Sequence, residues 1–107
     1  MKRCYIAGKY SAPTIIEGLR NIRVGQRASV KMLLKGYAVF CPWVDHQLFL
    51  QLRNDEEIDV ETIKAHSMAW LDVSDLLYVL KGWETSQGTI DEIKRANELG
   101  IEVCYEE

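Results

Sequence analysis

The sequence lacks a long apolar segment, a cluster of basic residues and a paired-cysteine motif. Without about 20 consecutive apolar residues, we expect no membrane-spanning helix. The N-terminal segment MKRCYIAG has no apolar stretch long enough for a signal peptide. With 13 Lys and Arg against 16 Asp and Glu, the net charge is −3, which argues against binding to a nucleic-acid polymer. A small anionic ligand remains compatible with this charge, because a helix N-terminus can hold a phosphate.

Cysteine and histidine are also scarce. The three cysteines, Cys4, Cys41 and Cys104, are odd in number and each lies in or beside an apolar, strand-like run. This pattern predicts reduced, buried thiols rather than disulfides or metal ligands. The two histidines, His46 and His66, lack metal-ligand spacing. We therefore expect a soluble cytoplasmic protein with no metal and no cofactor.

The residues that are present favour a single folded domain. Apolar residues make up 48% of the 107 positions, which is enough to form a core and argues against intrinsic disorder. No internal repeat, low-complexity tract or linker interrupts the sequence. We expect one domain that spans residues 1–107.

The hydrophobic pattern predicts strands that alternate with helices. The run LLYVL at 76–80 is continuously apolar, as is typical of a central parallel strand buried on both faces. Further strands are predicted at 3–7, 37–41 and 101–105. Helices are predicted from Ser11 or Thr14 to 35, from 59 or 61 to 71, and from 89 to 99, where Gly100 ends the last one. Segment 43–59 is predicted to be a long loop with a helical turn.

This alternation predicts a parallel sheet with helices on both of its faces. In the first helix, small residues near the apolar face would let the helix lie close to the sheet. The predicted apolar face consists of Ile15, Leu19, Ile22, Ser29 and Leu33, with Gly18 and Gly25 on or near it.

Topology alone points to a ligand site beyond the carboxyl ends of the strands. Three loops should meet there: residues 8–11, the loop after Pro42, and residues 83–92 within KGWETSQGTIDEIKRA. Ser86 and Gly88 precede the last long helix, whose first N–H groups have no partner within the helix. They are compatible with a phosphate cradle. Simple capping by Ser86 or Thr89, with Asp91 and Glu92 complementing the helix dipole, is the preferred interpretation from these residues alone.

Several side chains near these loops can carry chemistry. Asp91 and Glu92 project about 100° apart on a helix, so only one can face the cleft. Ile90 and Ile93 should face the core, which leaves Glu92 nearer the strand ends. Two tryptophans, Trp43 and Trp83, follow strand ends. By default they are core residues, although either could stack on a flat base. The other chemistry-capable residues are Tyr5, Tyr10, Asp45, His46, His66, Ser67, Asp72 and Asp75.

Three segments, in this order, resemble the nucleoside 2-deoxyribosyltransferase-like superfamily. They are YIAGKYSAP, GYAVFCP and SDLLYVLKGWETSQGTIDEIKRANELGIEV, and only the loop at 43–59 is unmatched. The resemblance implies a flavodoxin-like (Rossmann-like) α/β three-layer sandwich with four or five parallel strands. It also implies a homo-oligomer, a dimer or larger, that cleaves the N-glycosidic bond of nucleosides or nucleotides.

The resemblance also assigns roles to individual residues. Glu92 matches the nucleophile, and Tyr5 matches the tyrosine that hydrogen-bonds it. Ser86 stands where the transferases have an Asp and the 5′-monophosphate hydrolases have a phosphate-binding Ser. This match implies hydrolysis of a (deoxy)nucleoside 5′-monophosphate to free base and sugar phosphate rather than deoxyribosyl transfer. The expected substrate-binding residues are Gly8, Tyr10, Trp43, Trp83, Ser86 and Gly88.

One position departs from the superfamily pattern. Superfamily enzymes place an Asp, which handles protonation of the base, eight residues before the Asp that enters the third strand. Counting back from Asp75 leads to Ser67, beside His66. His66 or Asp72 could supply the acid instead. Alternatively, the protein is a nucleotide-binding or sensing module without turnover, or a small α/β interaction domain with ordinary helix caps.

Overall fold

The computed structural model describes residues 1–107 and has four strands and four α-helices in alternation. Two single-turn 3₁₀ helices, Pro42–Val44 and Trp83–Thr85, precede the second and fourth α-helices. The elements are β1 (Arg3–Ala7), α1 (Ile15–Leu34), β2 (Ala38–Phe40), α2 (Asp45–Phe49), α3 (Val60–Asp72), β3 (Leu76–Val79), α4 (Gln87–Leu99) and β4 (Glu102–Tyr105).

The four strands form one parallel sheet in the order β2-β1-β3-β4. All four residues of β3 are buried, and the strand lies between β1 and β4, as the LLYVL run predicts. In the β1–β3 register, Tyr5 is opposite Leu77 and Ala7 is opposite Val79. The expected α/β fold, a flavodoxin-like three-layer sandwich with a small parallel sheet, is confirmed.

Alternation along the strands divides the core into two layers. Cys4 and Ile6 pack with Ala28 and Met32 of α1 on one face of the sheet. On the other face, Tyr5 and Ala7 pack with Leu71 of α3 and Ala96 of α4. As a result, Tyr5 points toward the layer that contains α4.

The predicted apolar face of α1 is correct for Ile22 and Gly25, which lie on the core side, and wrong at both ends of the helix. Ile15 is 83% exposed and Leu33 is 54% exposed, whereas Gly25, Ala28 and Met32 form the buried side. The exposed residues of the apolar pattern, Ile15, Leu19 and Leu33, lie beside the contact face rather than on it. Small residues determine which side of α1 approaches the sheet, because they allow the closest packing.

The closest approach joins α1 to the residue after Pro42. A Cβ atom at Gly25 would lie 2.2 Å from the Trp43 ring, while one at Gly18 would meet nothing within 4 Å. Trp43 is only 2% exposed, and its Nε1 donates a hydrogen bond to the Lys9 carbonyl at 3.1 Å. Trp43 is therefore a core residue that also fixes the loop after β1.

Helix ends largely follow their sequence signals. The Thr14 hydroxyl caps α1 by accepting from the Glu17 N–H, which decides between Ser11 and Thr14. α4 begins two residues before the predicted start, and Gly100 ends it in the left-handed region with φ 72°. The predicted helical turn in segment 43–59 is present as α2.

The three cysteines are free, but they differ in burial. Cys4 is buried, and burial raises the pKa of its thiol to about 12. Cys41 is half-buried and Cys104 is exposed. The expectation of buried thiols is thus correct for Cys4 and wrong for Cys104, because β4 is an edge strand with an exposed side.

Candidate active site

A cavity of about 910 Å³ lies at the carboxyl ends of the strands, where the three predicted loops meet. Its size is typical of a small-molecule site. The predicted site residues that line it are Tyr5, Gly8, Tyr10, Trp43, Ser86, Gly88 and Glu92.

Tyr5 and Glu92 form the most distinctive contact in this cavity. The Tyr5 hydroxyl donates a hydrogen bond to Glu92 Oε2. Burial, followed by the negative charge of Glu92, raises the pKa of Tyr5 far above its ordinary value. The phenol is therefore neutral and acts as a donor at any physiological pH.

The Glu92 carboxyl lies in a poorly hydrated environment. Burial raises its pKa to about 7, the hydrogen bond from Tyr5 acts in the opposite direction, and the nearby charge of Asp91 raises it further. Desolvation disfavours the carboxylate, whereas the phenol stabilises it. A substantial fraction of Glu92 is ionised at neutral pH, as a nucleophile or charge stabiliser requires.

The N-terminus of α4 serves as both a cap and a cavity wall. Ser86 Oγ accepts from the Thr89 N–H at 3.4 Å and shares a hydrogen bond with Thr89 Oγ1 at 2.9 Å, so capping by Ser86 is confirmed. A Cβ atom at Gly88 would meet nothing within 4 Å. A ligand could therefore approach the backbone at Gly88 closely, and the two interpretations of this turn are compatible.

Cationic side chains also line the cavity. They are Lys9, Arg20 and Lys64, which come from the loop after β1, from α1 and from α3. Arg20 and Lys64 are not among the predicted site residues, because neither belongs to a basic cluster in the sequence. Together they could attract a phosphate despite the net negative charge of the chain.

Asp45 is a second buried carboxyl in the cavity wall. It begins α2, lines the cavity and is 4% exposed. Burial raises its pKa, and attraction to His66 and His46 acts in the opposite direction. Asp45 is one of the predicted chemistry-capable residues but not one of the predicted site residues. Its position, three residues after Pro42 in the second converging loop, was the available signal.

Ser67, the residue at the expected acid position, also lines the cavity. It lies close enough to Tyr5 that a polar interaction between the two side chains opposes the rise in the Tyr5 pKa. The position is therefore inside the site, but it carries a hydroxyl that cannot serve as an acid near neutral pH.

The remaining predicted site residues do not line the cavity. Trp83 packs against Tyr105 with ring centroids 5.6 Å apart. His66 lies beside Phe40, and its buried Nδ1 has no hydrogen-bond partner. Asp72 forms an exposed pair with Arg95 at 2.9 Å.

Asp72 also has the wrong electrostatics for an acid. The hydrogen bonds from Arg95 lower the pKa of its carboxyl, so the group is ionised and has no proton to donate near neutral pH. Trp83 misses the cavity because it packs against the end of the edge strand β4, and Asp72 misses it because it ends α3, just before β3 begins.

The described chain has no group of three or more His, Cys, Asp or Glu side chains arranged to hold a metal ion. None of its helices combines the length and apolar composition that a membrane crossing needs.

A family model described as a domain of unknown function (DUF4406) matches residues 2–105. The chain belongs to this family. No curated protein matches the sequence.

Proposed function

We propose that the protein is an N-glycosidase of the nucleoside 2-deoxyribosyltransferase-like type that hydrolyses (deoxy)nucleoside 5′-monophosphates. The observation that carries this proposal is the hydrogen bond from Tyr5 to Glu92. It holds a buried carboxyl in a cavity at the strand ends, where α/β folds bind ligands. The superfamily resemblance implies the same pair, a tyrosine that hydrogen-bonds the nucleophilic glutamate.

Glu92 attacks the anomeric carbon in this mechanism. As the bond to the base breaks, positive charge develops on the sugar, and a carboxylate there can stabilise it or bond to it, as in retaining glycosidases. Tyr5 positions Glu92 and favours its ionised form. Water then hydrolyses the sugar–Glu92 ester and releases the sugar phosphate.

The phosphate of the substrate is expected at the N-terminus of α4. Ser86 and Gly88 line the cavity there, and unpaired backbone N–H groups at a helix start favour an anion. Lys9 and Arg20 line the same cavity and add positive charge. This arrangement favours nucleotides over nucleosides.

The test is incubation with a panel of ribo- and deoxyribonucleoside 5′-monophosphates, followed by chromatography for free base. Glu92→Ala should abolish release. Glu98→Ala is a matched control, because Glu98 is exposed on the same helix and does not line the cavity. Release that persists at the wild-type level in Glu92→Ala would refute the proposal.

A second candidate is a nucleotide-binding module without turnover. The observation that favours it is the hydroxyl of Ser67 at the position where the superfamily enzymes have an Asp. If this second candidate is correct, nucleotides should raise the melting temperature of the protein, while long incubations should release no base. A thermal-shift measurement on the same samples separates it from a plain interaction domain, which no nucleotide should stabilise.

We also propose that the protein forms a homo-oligomer, as the resemblance implies. Exposed apolar side chains run along α1 beside its contact face, and a second copy could cover them. They include Ile15, Leu19, Val30, Leu33 and Leu34. Light scattering should give a mass of at least two chains, and Leu19→Glu with Leu33→Glu should reduce it. A wild-type mass of one chain would contradict the proposal.

A further inference from the structure

We propose that Asp45 is the general acid that protonates the leaving base, in place of the carboxylate that Ser67 replaces. This inference rests on the proposed N-glycosidase function and adds a catalytic residue to it. Asp45 lies in the loop segment that the superfamily resemblance does not match, so the resemblance gives it no role.

The placement of Asp45 is unusual for a carboxyl group. The residue is only 4% exposed, yet it lines the cavity and no hydrogen bond reaches its carboxyl group. Buried carboxyls are normally paired, because burial without a partner is costly. A carboxyl group that lies in a cavity wall without a protein partner is well placed to contact a ligand.

Asp45 also lines the same cavity as the proposed nucleophile. Its charge acts on the Tyr5 phenol, and that phenol bonds to Glu92. Its charge acts on Tyr10 as well, which also lines the cavity. The two carboxyls therefore line one cavity and both act on the Tyr5 phenol, but they come from different walls: Asp45 from α2 and Glu92 from α4.

Burial and the surrounding groups act in opposite directions on the pKa of Asp45, and the net effect is a rise. Tyr5 and Tyr10 face it as neutral phenols, His46 and His66 attract its ionised form, and burial, the largest effect, raises its pKa. The Tyr10 ring stacks on His46 at 5.0 Å and 10°, which helps to fix this wall. Tyr10 Oη and His46 Nε2 are buried without partners, so the wall has unused polar atoms beside Asp45.

The other candidate acids are less suitable. Ser67 has no acidic proton near neutral pH, and Asp72 is ionised and outside the cavity. His66 does not line the cavity, although it contacts the Asp45 charge. His66 is better placed to influence Asp45 than to reach the base.

The proton balance of the reaction is complete with these two carboxyls and water. Ionised Glu92 bonds to the anomeric carbon, and the C–N electron pair passes to the base, which takes the proton from Asp45. Ionised Asp45 then accepts a proton from the water that attacks the sugar–Glu92 ester. Free Glu92 carboxylate, protonated Asp45, free base and sugar phosphate remain.

The experiment compares two substrates that differ in their need for an acid. GMP requires protonation of its base, whereas 7-methylguanosine 5′-monophosphate already carries a positive base that leaves unaided. For Asp45→Asn, kcat/KM for GMP should fall about 10²- to 10⁴-fold. For the methylated substrate it should fall less than about tenfold. Activity on the methylated substrate would also show that the variant is folded.

Three further variants give the comparison its controls. Glu92→Gln should lose activity on both substrates, because both need the nucleophile. His66→Asn should not show the selective loss on GMP, and if it does while Asp45→Asn does not, His66 is the acid. Asp72→Asn should resemble the wild type.

The failure of this inference can be told from the failure of the proposed function. If wild-type protein releases base from neither substrate nor from any nucleotide of the panel, the N-glycosidase function itself is refuted. If it acts only on another nucleotide of the panel, Asp45→Asn is compared on that substrate and its N-methylated, cationic form. If the wild type is active and Asp45→Asn lowers kcat/KM equally for both substrates, Asp45 binds or positions the substrate and is not the acid. If Asp45→Asn leaves both rates unchanged, Asp45 has no part in the reaction.

Discussion

Tyr5 in β1 donates a hydrogen bond to Glu92 in α4, and the two residues are 87 positions apart in the sequence. This contact lowers the pKa of a carboxyl that burial raises to about 7. The phenol therefore sets the pH range in which Glu92 is a carboxylate.

The first prediction concerns this contact. In Tyr5→Phe, the stabilisation of the carboxylate is lost, so the pKa of Glu92 should rise above its wild-type value of about 7. Because the nucleophile must be ionised, the rising limb of the kcat/KM profile against pH should move to higher pH. The rate at pH 7 should fall about 10- to 100-fold, with partial recovery near pH 9. A limb that stays at its wild-type position would show that Tyr5 does not tune Glu92.

The second prediction concerns stability. Glu92 has an ordinary pKa of 4.5 and a folded-state pKa of about 7, so between these values the folded chain binds more protons than the unfolded chain. Stability should therefore fall as pH rises from 4.5 to 7, and level off above 7. Glu92→Gln removes this contribution, and its amide oxygen can still accept from Tyr5.

Urea unfolding at pH 5 and pH 8 measures the effect. Relative to the wild type, Glu92→Gln should gain at most about 3 kcal/mol between the two pH values, from the size of the pKa shift. Comparing the two proteins at each pH cancels the other titrating groups. A constant difference between them would mean that the Glu92 pKa is ordinary in the folded state.

The third prediction separates ligand contact from helix stability at Gly88. A methyl group there meets no protein atom within 4 Å, so Gly88→Ala should keep or raise the free energy of unfolding, by up to about 1 kcal/mol. It should weaken phosphate binding at least tenfold, because the methyl enters the cavity. Calorimetric titration of a nucleotide in the inactive Glu92→Gln background measures the affinity.

Gly18→Ala is the matched control for that experiment. It also adds a methyl to a helix where nothing lies within 4 Å, but Gly18 does not line the cavity. It should therefore stabilise the chain without changing affinity. Equal affinities for the two alanine variants would place the ligand away from the α4 N-terminus.

The fourth prediction concerns the packing of α1. In Gly25→Ala the new methyl would collide with the Trp43 ring, and such overpacking costs about 1 to 3 kcal/mol. Displacement of Trp43 would also loosen its hydrogen bond to the Lys9 carbonyl and so raise KM for nucleotides. Denaturant melts and kinetics on the same variant would reveal both effects; stability equal to that of the wild type would contradict this packing.

Local signals made much of the fold predictable. LLYVL gave the central strand, and Gly100 gave the end of α4, because both signals act within a few residues. The face of α1 was not predictable in this way. Its apolar residues outnumber those that the sheet can cover, and the choice among them depends on where Gly25 meets Trp43, a contact between distant segments.

The site was predictable in part. Its location follows from parallel-strand topology, and the pairing of Tyr5 with Glu92 came from resemblance, since no periodicity joins residues so far apart. Asp45 was recognised only as a chemistry-capable residue. Its burial depends on the short helix α2, and a five-residue helix has too few positions for a period to reveal which side faces a cavity.

The span between Tyr5 and Glu92 also makes the site a reporter of complete folding. A loop that joins the first strand to the last helix closes at a large entropic cost, so the pair can form only after α4 has docked on the sheet. Fragments or intermediates that keep β1 and α1 but lack a docked α4 cannot assemble the pair, whatever secondary structure they retain. During refolding, base release should therefore recover later than the helical circular dichroism signal. The delay between the two would measure how long α4 takes to dock on the sheet.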